Sequence, residues 1–306
     1  MNTATRPAQA SAPSRLEHLD STAITLLVAC CMFWGLQQVL AKATLPEVAP
    51  LVQASIRVIG ASVLLVLWCR IKGIALFEQD GSWWPGLLAG LLFAAEFACI
   101  FIGLQFTTAS RLTIFLYTSP FWVAACVPLF VHTERLRLQQ WLGLACAFAA
   151  VVFVLGQGQS GHTLAWGDAL ALAAGAFWGL TTVAIRATGL TRIAPEKLLF
   201  YQLGCSALVL PALSLVRGES WSLNVSVFAW SSLLAQTVVG AFASYLAWMW
   251  MLGRYPATRI SSFVFLTPLF GLIFGNLWLG ESVTVQLLAG LALVAAGIML
   301  VNRKRA

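Results

Sequence analysis

Long apolar runs fill this chain from residue 22 to residue 302, and they constrain its fold more than any other feature. Each run approaches the roughly 20 residues that an α-helix needs to cross the hydrocarbon core of a bilayer. Only 9% of the 306 residues are charged, whereas a soluble domain carries roughly a quarter. Because this much apolar surface cannot face water, the sequence predicts an all-α integral membrane protein.

The apolar runs divide into ten predicted transmembrane helices. They lie at about 22–42, 48–69, 84–104, 109–131, 139–156, 166–187, 196–216, 228–251, 257–279 and 283–302. The polar residues 1–20 are predicted to form a flexible cytoplasmic tail. The first run is too long for the apolar region of a secretory signal, so we expect a retained helix.

The positive charges between the runs predict the orientation, because Lys and Arg concentrate in short cytoplasmic loops. With a cytoplasmic N-terminus, three basic residues fall on the outer side, namely Lys42, Arg111 and Arg217. Fourteen fall on the inner side, namely Arg6, Arg15, Arg70, Lys72, Arg135, Arg137, Arg186, Arg192, Lys197, Arg254, Arg259, Arg303, Lys304 and Arg305. We therefore expect a multi-pass protein of the cell inner membrane with both termini cytoplasmic.

The second half of the chain repeats the first. Residues 32–44 align with 176–188 at an offset of 144, and 109–122 align with 257–270 at an offset of 148. The polar anchors of the match are Trp34-Gly35 with Trp178-Gly179, Lys42 with Arg186, Arg111 with Arg259, Pro120 with Pro268, and Glu134 with Glu281. An odd number of helices in each copy forces the second copy into the opposite orientation. We therefore predict two inverted five-helix repeats, 22–156 and 166–302, which is an arrangement typical of secondary transporters.

The same segments carry a resemblance to a known family. The FWG near the start of each half, the stretch TTASRLTIFLYTSPFW with its following ERL, and the stretch LTPLFGLIFGNLWLGESVT resemble the bacterial EamA-type transporters of the drug/metabolite transporter superfamily. The resemblance covers about 22–302. It implies a ten-helix exporter of small metabolites, such as amino acids or related compounds, with a central cavity between the halves. It does not imply a particular cargo.

Two charged residues lie in the middle of predicted spans, Arg57 in the second and Glu96 in the third. A charge at bilayer depth is costly, so each must face protein or water. They could pair with each other and lock the two helices together. Alternatively, Arg57 holds a substrate carboxylate or Glu96 loads a proton. Their repeat counterparts are uncharged, namely Ser244 for Glu96 and Tyr201 or Gln202 for Arg57, and this asymmetry favours substrate or proton binding.

Other polar and aromatic residues near the span centres are further candidates for substrate binding. Gln37 and Gln38 are about 100° apart on the first helix, so at least one is expected to face protein or a cavity. Their amides could bind a polar solute or join helices by hydrogen bonds. Trp34 and Trp178 occupy equivalent positions in the two halves, where packing is favoured over stacking on a substrate. Tyr117 in the fourth helix and Tyr245 in the eighth complete the candidate set.

Three features of the loops and helix faces leave alternatives open. Arg111 and Arg259 are predicted at opposite membrane faces, where anchors are favoured over symmetric gate residues. Pro120 predicts a kink in the fourth helix, which could form a gate or a cavity wall. Rows of small residues indicate scaffold contacts or a homo-oligomer, namely Gly143, Ala147 and Ala150 on the fifth helix and Ala289, Ala292 and Ala296 on the tenth.

The sequence argues against the other functional classes. The three histidines fall in the tail and the loops, and there is no zinc-protease motif, phosphate-binding loop or catalytic triad. We therefore expect no enzyme activity, no metal, no cofactor and no nucleic-acid partner. We expect a secondary transporter that exports a small metabolite across the bilayer by alternating access, with proton coupling left open. An uncoupled facilitator and a drug-efflux transporter are the alternatives, and an intramembrane enzyme is the least favoured.

Overall fold

The computed structural model describes residues 20–130, 162–222, 224–255, 263–264 and 266–302, together with short stretches between 138 and 153. These described residues form helices joined by turns and short loops, and none of them is in a β-strand. The tail, the loop 131–137 and the first part of the predicted ninth helix lie outside the described residues, and so does most of the predicted fifth helix.

The helices follow one another with short connections. In chain order they are α1 Ser21–Thr44, α2 Pro50–Lys72, α3 Trp83–Gly103, α4 Ala109–Leu116, α5 Ser119–Phe130, α6 His162–Ala187, α7 Pro195–Val216, α8 Val227–Ala235, α9 Ser244–Arg254, α10 Leu266–Leu279 and α11 Val285–Asn302. A π-helical segment, Gln236–Ala243, joins α8 directly to α9. A single 3₁₀ turn, Leu190–Arg192, precedes α7.

Six stretches of the described helices are long and apolar enough to cross a bilayer. They are Ser21–Thr44, Pro50–Lys72, Trp83–Gly103, Ala165–Ala187, Pro195–Val216 and Val227–Trp248. Large apolar side chains remain exposed on them, for example Val63 (54%) on α2 and Leu208 (77%) on α7. Such surfaces suit contact with lipid tails rather than water. The chain is therefore a multi-pass membrane protein, as its composition predicts.

The predicted fourth helix is interrupted. We expected one helix over 109–131, but the structure ends α4 at Leu116 and begins α5 at Ser119. Pro120 supplies the physical reason, because its ring has no N–H for the Leu116 carbonyl and would clash with it in a continuous helix. The Thr118 hydroxyl instead donates to the Phe115 carbonyl at 2.6 Å. The interruption places Tyr117 at a bend in the interior.

Short-range signals fix the ends of several helices. Asp20 caps α1, Thr108 caps α4 and Ser226 caps α8, each through a side-chain oxygen that accepts from a backbone N–H three residues later. Proline occupies the first turn of α2 and of α7, where a missing N–H costs nothing. These signals explain why the predicted bounds of the long helices differ from the observed ones by only a few residues.

The core forms where the two parts of the chain meet. α3 packs along α6, α2 and α3 both pack against α7, and α1 packs against α10. The largest cluster of buried apolar side chains includes Leu65 of α2, Phe101 of α3, Phe115 of α4 and Leu203 of α7. Residues of the first and second parts of the chain thus share one interior, which contains the candidate site.

Candidate functional site

Two charged side chains lie buried in this interior. Arg57 of α2 is 3% exposed and Glu96 of α3 is 5% exposed. Within the described residues they form no salt bridge with each other, although each lies within electrostatic range of the other. The direct pair that would lock α2 to α3 is therefore not formed in this structure.

Arg57 is held by aromatic neighbours. Its Nη2 donates to the Tyr245 hydroxyl at 3.5 Å, which is a long hydrogen bond. Its guanidinium carbon lies 4.6 Å from the centroid of the Phe97 ring. Its Nε has no hydrogen-bond partner among the described residues. These contacts orient the guanidinium but leave the Nε donor without a partner in the part of the chain that the structure describes.

Glu96 also has an unsatisfied atom. Its Oε2 is buried and has no hydrogen-bond partner among the described residues. The carboxyl group lies within electrostatic range of Tyr117 and Tyr245. An unpartnered carboxylate oxygen at bilayer depth is costly, and a proton or a cationic ligand would satisfy it.

Aromatic side chains from both parts of the chain surround these charges. Phe93 lies 4.6 Å from Phe97 and 6.5 Å from Tyr245, measured between ring centroids. Tyr117, at the bend between α4 and α5, meets the Trp178 ring of α6 edge-on at 5.3 Å. The charged groups are therefore enclosed by apolar faces, which strengthens their interaction with any ligand.

The two candidate tryptophans have different surroundings. The Trp34 indole N–H donates to the Ser244 hydroxyl at 2.9 Å, and its ring meets Trp248 edge-on at 5.6 Å. In the sequence alignment of the two halves, Ser244 is the predicted counterpart of Glu96. Ser244 accepts a neutral hydrogen bond from an indole, whereas the Glu96 Oε2 has no partner among the described residues.

Gln37 and Thr267 add neutral polar groups. Gln37 is 8% exposed and Gln38 is 7% exposed, both on α1. Among the described residues, neither the Gln37 Oε1 nor the Thr267 hydroxyl of α10 has a hydrogen-bond partner within bonding geometry, although Cys31 and Tyr117 lie near that hydroxyl.

Six described residues have an unpartnered buried polar atom. We call four of them, Gln37, Arg57, Glu96 and Thr267, the central site. The central site thus offers one hydrogen-bond donor, the Arg57 Nε, and two acceptors, the Gln37 Oε1 and the Glu96 Oε2. The Thr267 hydroxyl can donate or accept.

The structure does not bring every candidate residue to the central site. Tyr201 lies near the beginning of α3, where its hydroxyl shares a 2.9 Å hydrogen bond with Ser82. Beside it, the Lys197 Nζ donates to Asp80 Oδ2 at 2.8 Å. Gln202, one residue further along α7 from Tyr201, is buried. We call the end of the bundle that carries Asp80 and Lys197 the Asp80 face.

A buried ion pair lies at the opposite end, and the sequence analysis named its arginine, Arg111, but not its aspartate, Asp168. Arg111 of α4 binds Asp168 of α6 through Nε, at 3.2 Å from each carboxylate oxygen, and through Nη2. The Thr107 hydroxyl donates to the same carboxylate at 2.6 Å. The sequence signal that could have identified Asp168 is an acidic residue at the start of an apolar run, AWGDALALAAG. We call this end, which also carries the turn after α1, the Glu47 face.

A surface depression of about 620 Å³ also lies on the Glu47 face. Phe228 and Trp278 form its apolar walls, and Lys42 and Glu281 line it. Lys42 already donates to the Thr107 carbonyl at 2.8 Å, and Glu281 accepts from the backbone of α4. Its charged groups are therefore engaged, unlike those of the central site.

The repeated FWG glycines allow close helix contacts. A Cβ on Gly35 of α1 would lie 2.6 Å from the backbone nitrogen of Gly271 and 2.8 Å from the Phe270 Cβ. A Cβ on Gly179 of α6 would lie 2.5 Å from the Trp122 Cβ. All three distances are far below van der Waals contact, so only glycine fits without a shift of the neighbouring helix.

These contacts predict a stability effect. Gly35→Ala and Gly179→Ala are each expected to lower the stability of the folded protein by about 1–3 kcal/mol through overpacking. Gly204→Ala on α7 is the matched control, because its nearest neighbour would be 3.9 Å away. Alanine is also the better helix former, so the control is expected to keep or raise the melting temperature. Thermal unfolding in detergent measures all three variants, and unchanged melting temperatures for both FWG variants would contradict the packing.

Comparison with known proteins places these features in a family. The model of the EamA-like transporter family matches residues 21–156 and again residues 165–303. A Bacillus subtilis protein named uncharacterized transporter YvbV is 30% identical over 94% of each chain. A Salmonella typhimurium protein named probable amino-acid metabolite efflux pump is 27% identical over 87% of this chain and 89% of its own.

The fold has a counterpart among solved structures. One crystal structure superposes with a TM-score of 0.66 at 18% sequence identity, and the match covers 92% of this chain and 96% of that chain. At this identity the likeness concerns the fold alone. The two family matches together span nearly all of the described helices. On this ground, the chain belongs to the EamA-like transporter family.

Proposed function

We propose that the protein is a secondary transporter that exports a small zwitterionic metabolite, of the amino-acid class, across the inner membrane by alternating access. The observation that carries the proposal is the pair of opposite charges in the central site, Arg57 and Glu96, which are buried close to each other without pairing. Burying two unpaired charges is costly unless a ligand or proton completes them. A transported solute with complementary charges would do so.

The chemistry of the central site favours a zwitterion. Arginine binds carboxylates through several parallel N–H donors, and the free Nε of Arg57 offers such a donor. Glu96 can accept from an ammonium group, and the Phe93 and Phe97 rings supply an apolar wall beside it. A free α-amino acid carries both charges within one small molecule. The efflux-pump name of the Salmonella relative agrees with this class.

Contacts that recur at the repeat spacing support two inverted repeats over 22–156 and 166–302. Gly35 lies against Phe270, and Gly179 lies against Trp122. In the sequence alignment Gly35 matches Gly179 at the offset of 144, and Trp122 matches Phe270 at the offset of 148. The same pair of aligned positions thus meets twice, with the roles of the two halves exchanged. Exchange of this kind is the geometric basis of alternating access in inverted-repeat transporters.

Helix ends recur in the same way. Pro50 begins α2 and Pro195 begins α7, at an offset of 145 in the sequence. Gly73 follows α2 with a φ of 67°, and Gly218 follows α7 with a φ of 68°. The two halves therefore start and stop corresponding helices with the same local signals. These matching helix ends support ten spans. The bias of Lys and Arg toward one side supports a cytoplasmic location for the Asp80 face and for both termini.

A flux screen in proteoliposomes tests the proposed function. Amino acids, nucleosides and cationic drugs are presented to the purified protein with and without a pH gradient. We expect flux of one or more zwitterionic amino acids, and stimulation by the gradient if Glu96 carries a proton. Flux of an amino acid without any effect of the gradient would identify an uncoupled facilitator. Flux of cationic drugs alone, or no solute-specific flux, would overturn the proposal.

A further inference from the structure

The first turn of α4 is held from two sides by carboxylates of the second half. Arg111 binds Asp168 of α6. Glu281, just beyond α10, accepts from the backbone N–H groups of Ala109 at 2.7 Å and Ser110 at 3.0 Å. Both contacts lie at the Glu47 face and both cross from the first half of the chain to the second. The first turn of α4 therefore connects the two halves through two carboxylates at this face.

The ion pair is deeply buried for a contact near a helix end. Asp168 is 1% exposed, Thr107 is 2% exposed and Arg111 is 6% exposed. A buried ion pair gains little net stability over an apolar contact of similar shape, because both ions lose water. Once its partners separate, however, each ion regains water. Such a pair therefore costs little to keep in a protein that must open and close at this point.

The opposite end of the bundle contains a related contact. The Tyr255 hydroxyl donates to Asp20 Oδ2 at 3.0 Å. Tyr255 aligns with Thr107 at the offset of 148, whereas Asp168 lies four residues, about one helical turn, beyond the position that aligns with Asp20 at the offset of 144. At each end, then, a hydroxyl binds an aspartate near the start of the first helix of a half. The two copies differ in exposure, since Asp168 is buried and Asp20 is exposed.

We propose that Thr107, Arg111 and Asp168 form a gate at the Glu47 face, which is closed in this structure and opens by separation of Arg111 from Asp168. The inequality of the two aspartates supports a closed state at this end, because Asp168 is withdrawn from water whereas Asp20 is exposed. The gate extends the proposed function, and it rests on that function only for the statement that the separation occurs during transport. Its closure can be tested without any substrate.

A buried reporter measures the closure directly. Thr113 is 0% exposed and lies two residues further into α4 than Arg111. In the background of the Thr113→Cys reporter, Asp168→Asn removes the charge at nearly equal volume. We expect the reporter to react with a water-soluble maleimide at least about tenfold faster in detergent, because the broken pair leaves Arg111 buried without its counter-ion. The same aspartate change without the reporter gives the background from the native cysteines.

Two further variants make the test decisive. Asp20→Asn is the same chemical change at the related contact on the other end, and we expect it to alter the labelling rate less than twofold. Arg111→Asp combined with Asp168→Arg restores an ion pair in reverse, and we expect it to return labelling to the slow rate. Slow labelling in Asp168→Asn with an unchanged melting temperature would overturn the gate. So would fast labelling in the reversed pair when that variant is folded.

A cross-link connects the gate to transport. In Arg111→Cys with Asp168→Cys, oxidation is expected to abolish amino-acid flux in proteoliposomes, and reduction is expected to restore it. Undiminished flux with the disulfide formed would overturn the gate. Absence of flux from the unmodified protein as well would instead count against the proposed function, while the labelling result would still decide whether the gate is closed by this pair.

Discussion

Arg57→Met is expected to lower the uptake of a zwitterionic amino acid by about 100-fold at subsaturating concentration, mainly through a higher KM. A charge-assisted hydrogen bond is worth about 1.5–3 kcal/mol, and each 1.4 kcal/mol is a factor of about ten. Methionine keeps the length and apolar stem of the side chain but donates nothing to a carboxylate. Initial rates over a range of substrate concentrations separate the effect on KM from the effect on the maximal rate.

Three comparisons distinguish substrate binding from helix packing as the role of Arg57. Arg57→Lys keeps the charge but loses the planar donors and the stacking on Phe97, so an intermediate effect is expected. The amide of the same amino acid lacks the carboxylate, so its transport should respond little to either variant. Arg217→Met removes a half-exposed arginine as a control. If Arg57→Met transports the amino acid normally, or loses the acid and the amide equally, Arg57 does not bind the carboxylate.

Glu96→Gln is expected to uncouple flux from the pH gradient. Glutamine has almost the volume of glutamate but cannot exchange a proton in the physiological range. Uptake driven by the gradient should fall at least about tenfold, the level expected when a positioned proton-transfer group is removed. Exchange of labelled for unlabelled substrate without a gradient should persist, because it needs no net proton movement. The ratio of these two rates in one vesicle preparation is the measurement.

Acidic residues at the bundle ends provide controls for this pH effect. Hydrogen bonds from the Ser226 backbone and hydroxyl lower the pKa of the Glu47 carboxyl. A hydrogen bond from Lys197, followed by those from Ser82, holds the pKa of Asp80 well below its usual range. Both groups therefore stay ionised near neutral pH, and Glu47→Gln should leave the pH profile unchanged. If Glu96→Gln retains both the rate and the pH dependence of the native protein, Glu96 is not the proton site.

The fold was accessible from the sequence wherever a local pattern decides the structure. The bounds of α2 and α3 follow from the length of their apolar runs, from Pro50 and from Gly73. The break at Tyr117 was only partly predictable, because Pro120 predicts a kink but not its size. The close contacts of Gly35 and Gly179 depend on which helices cross, and nothing in the FWG triplets specifies their neighbours.

The candidate site shows the same limit. Arg57 and Glu96 stand out as charges within apolar runs, so their burial could be expected from the sequence alone. The orientation of Arg57 toward Tyr245 could not, because the two lie 188 residues apart and meet only through packing. Tyr201 was a candidate by its alignment with Arg57, yet it lies with Ser82 near one end of the bundle. Alignment of the two halves therefore does not predict which partners the aligned side chains contact.

The π segment between α8 and α9 has a consequence for how closely the halves can mirror one another. Ser82 and Ser226 precede α3 and α8 at an offset of 144, whereas Thr107 and Tyr255 follow at an offset of 148. The second half thus has four more residues than the first between these positions. A π-helix has more residues in each turn than an α-helix, so the π segment accommodates extra residues. Residues beyond the segment are therefore expected to be rotated about the helix axis relative to their aligned counterparts. Tyr245, which contacts Arg57, lies just beyond the segment. In the proposed transport cycle, a solute would thus meet a different order of contacts from each face.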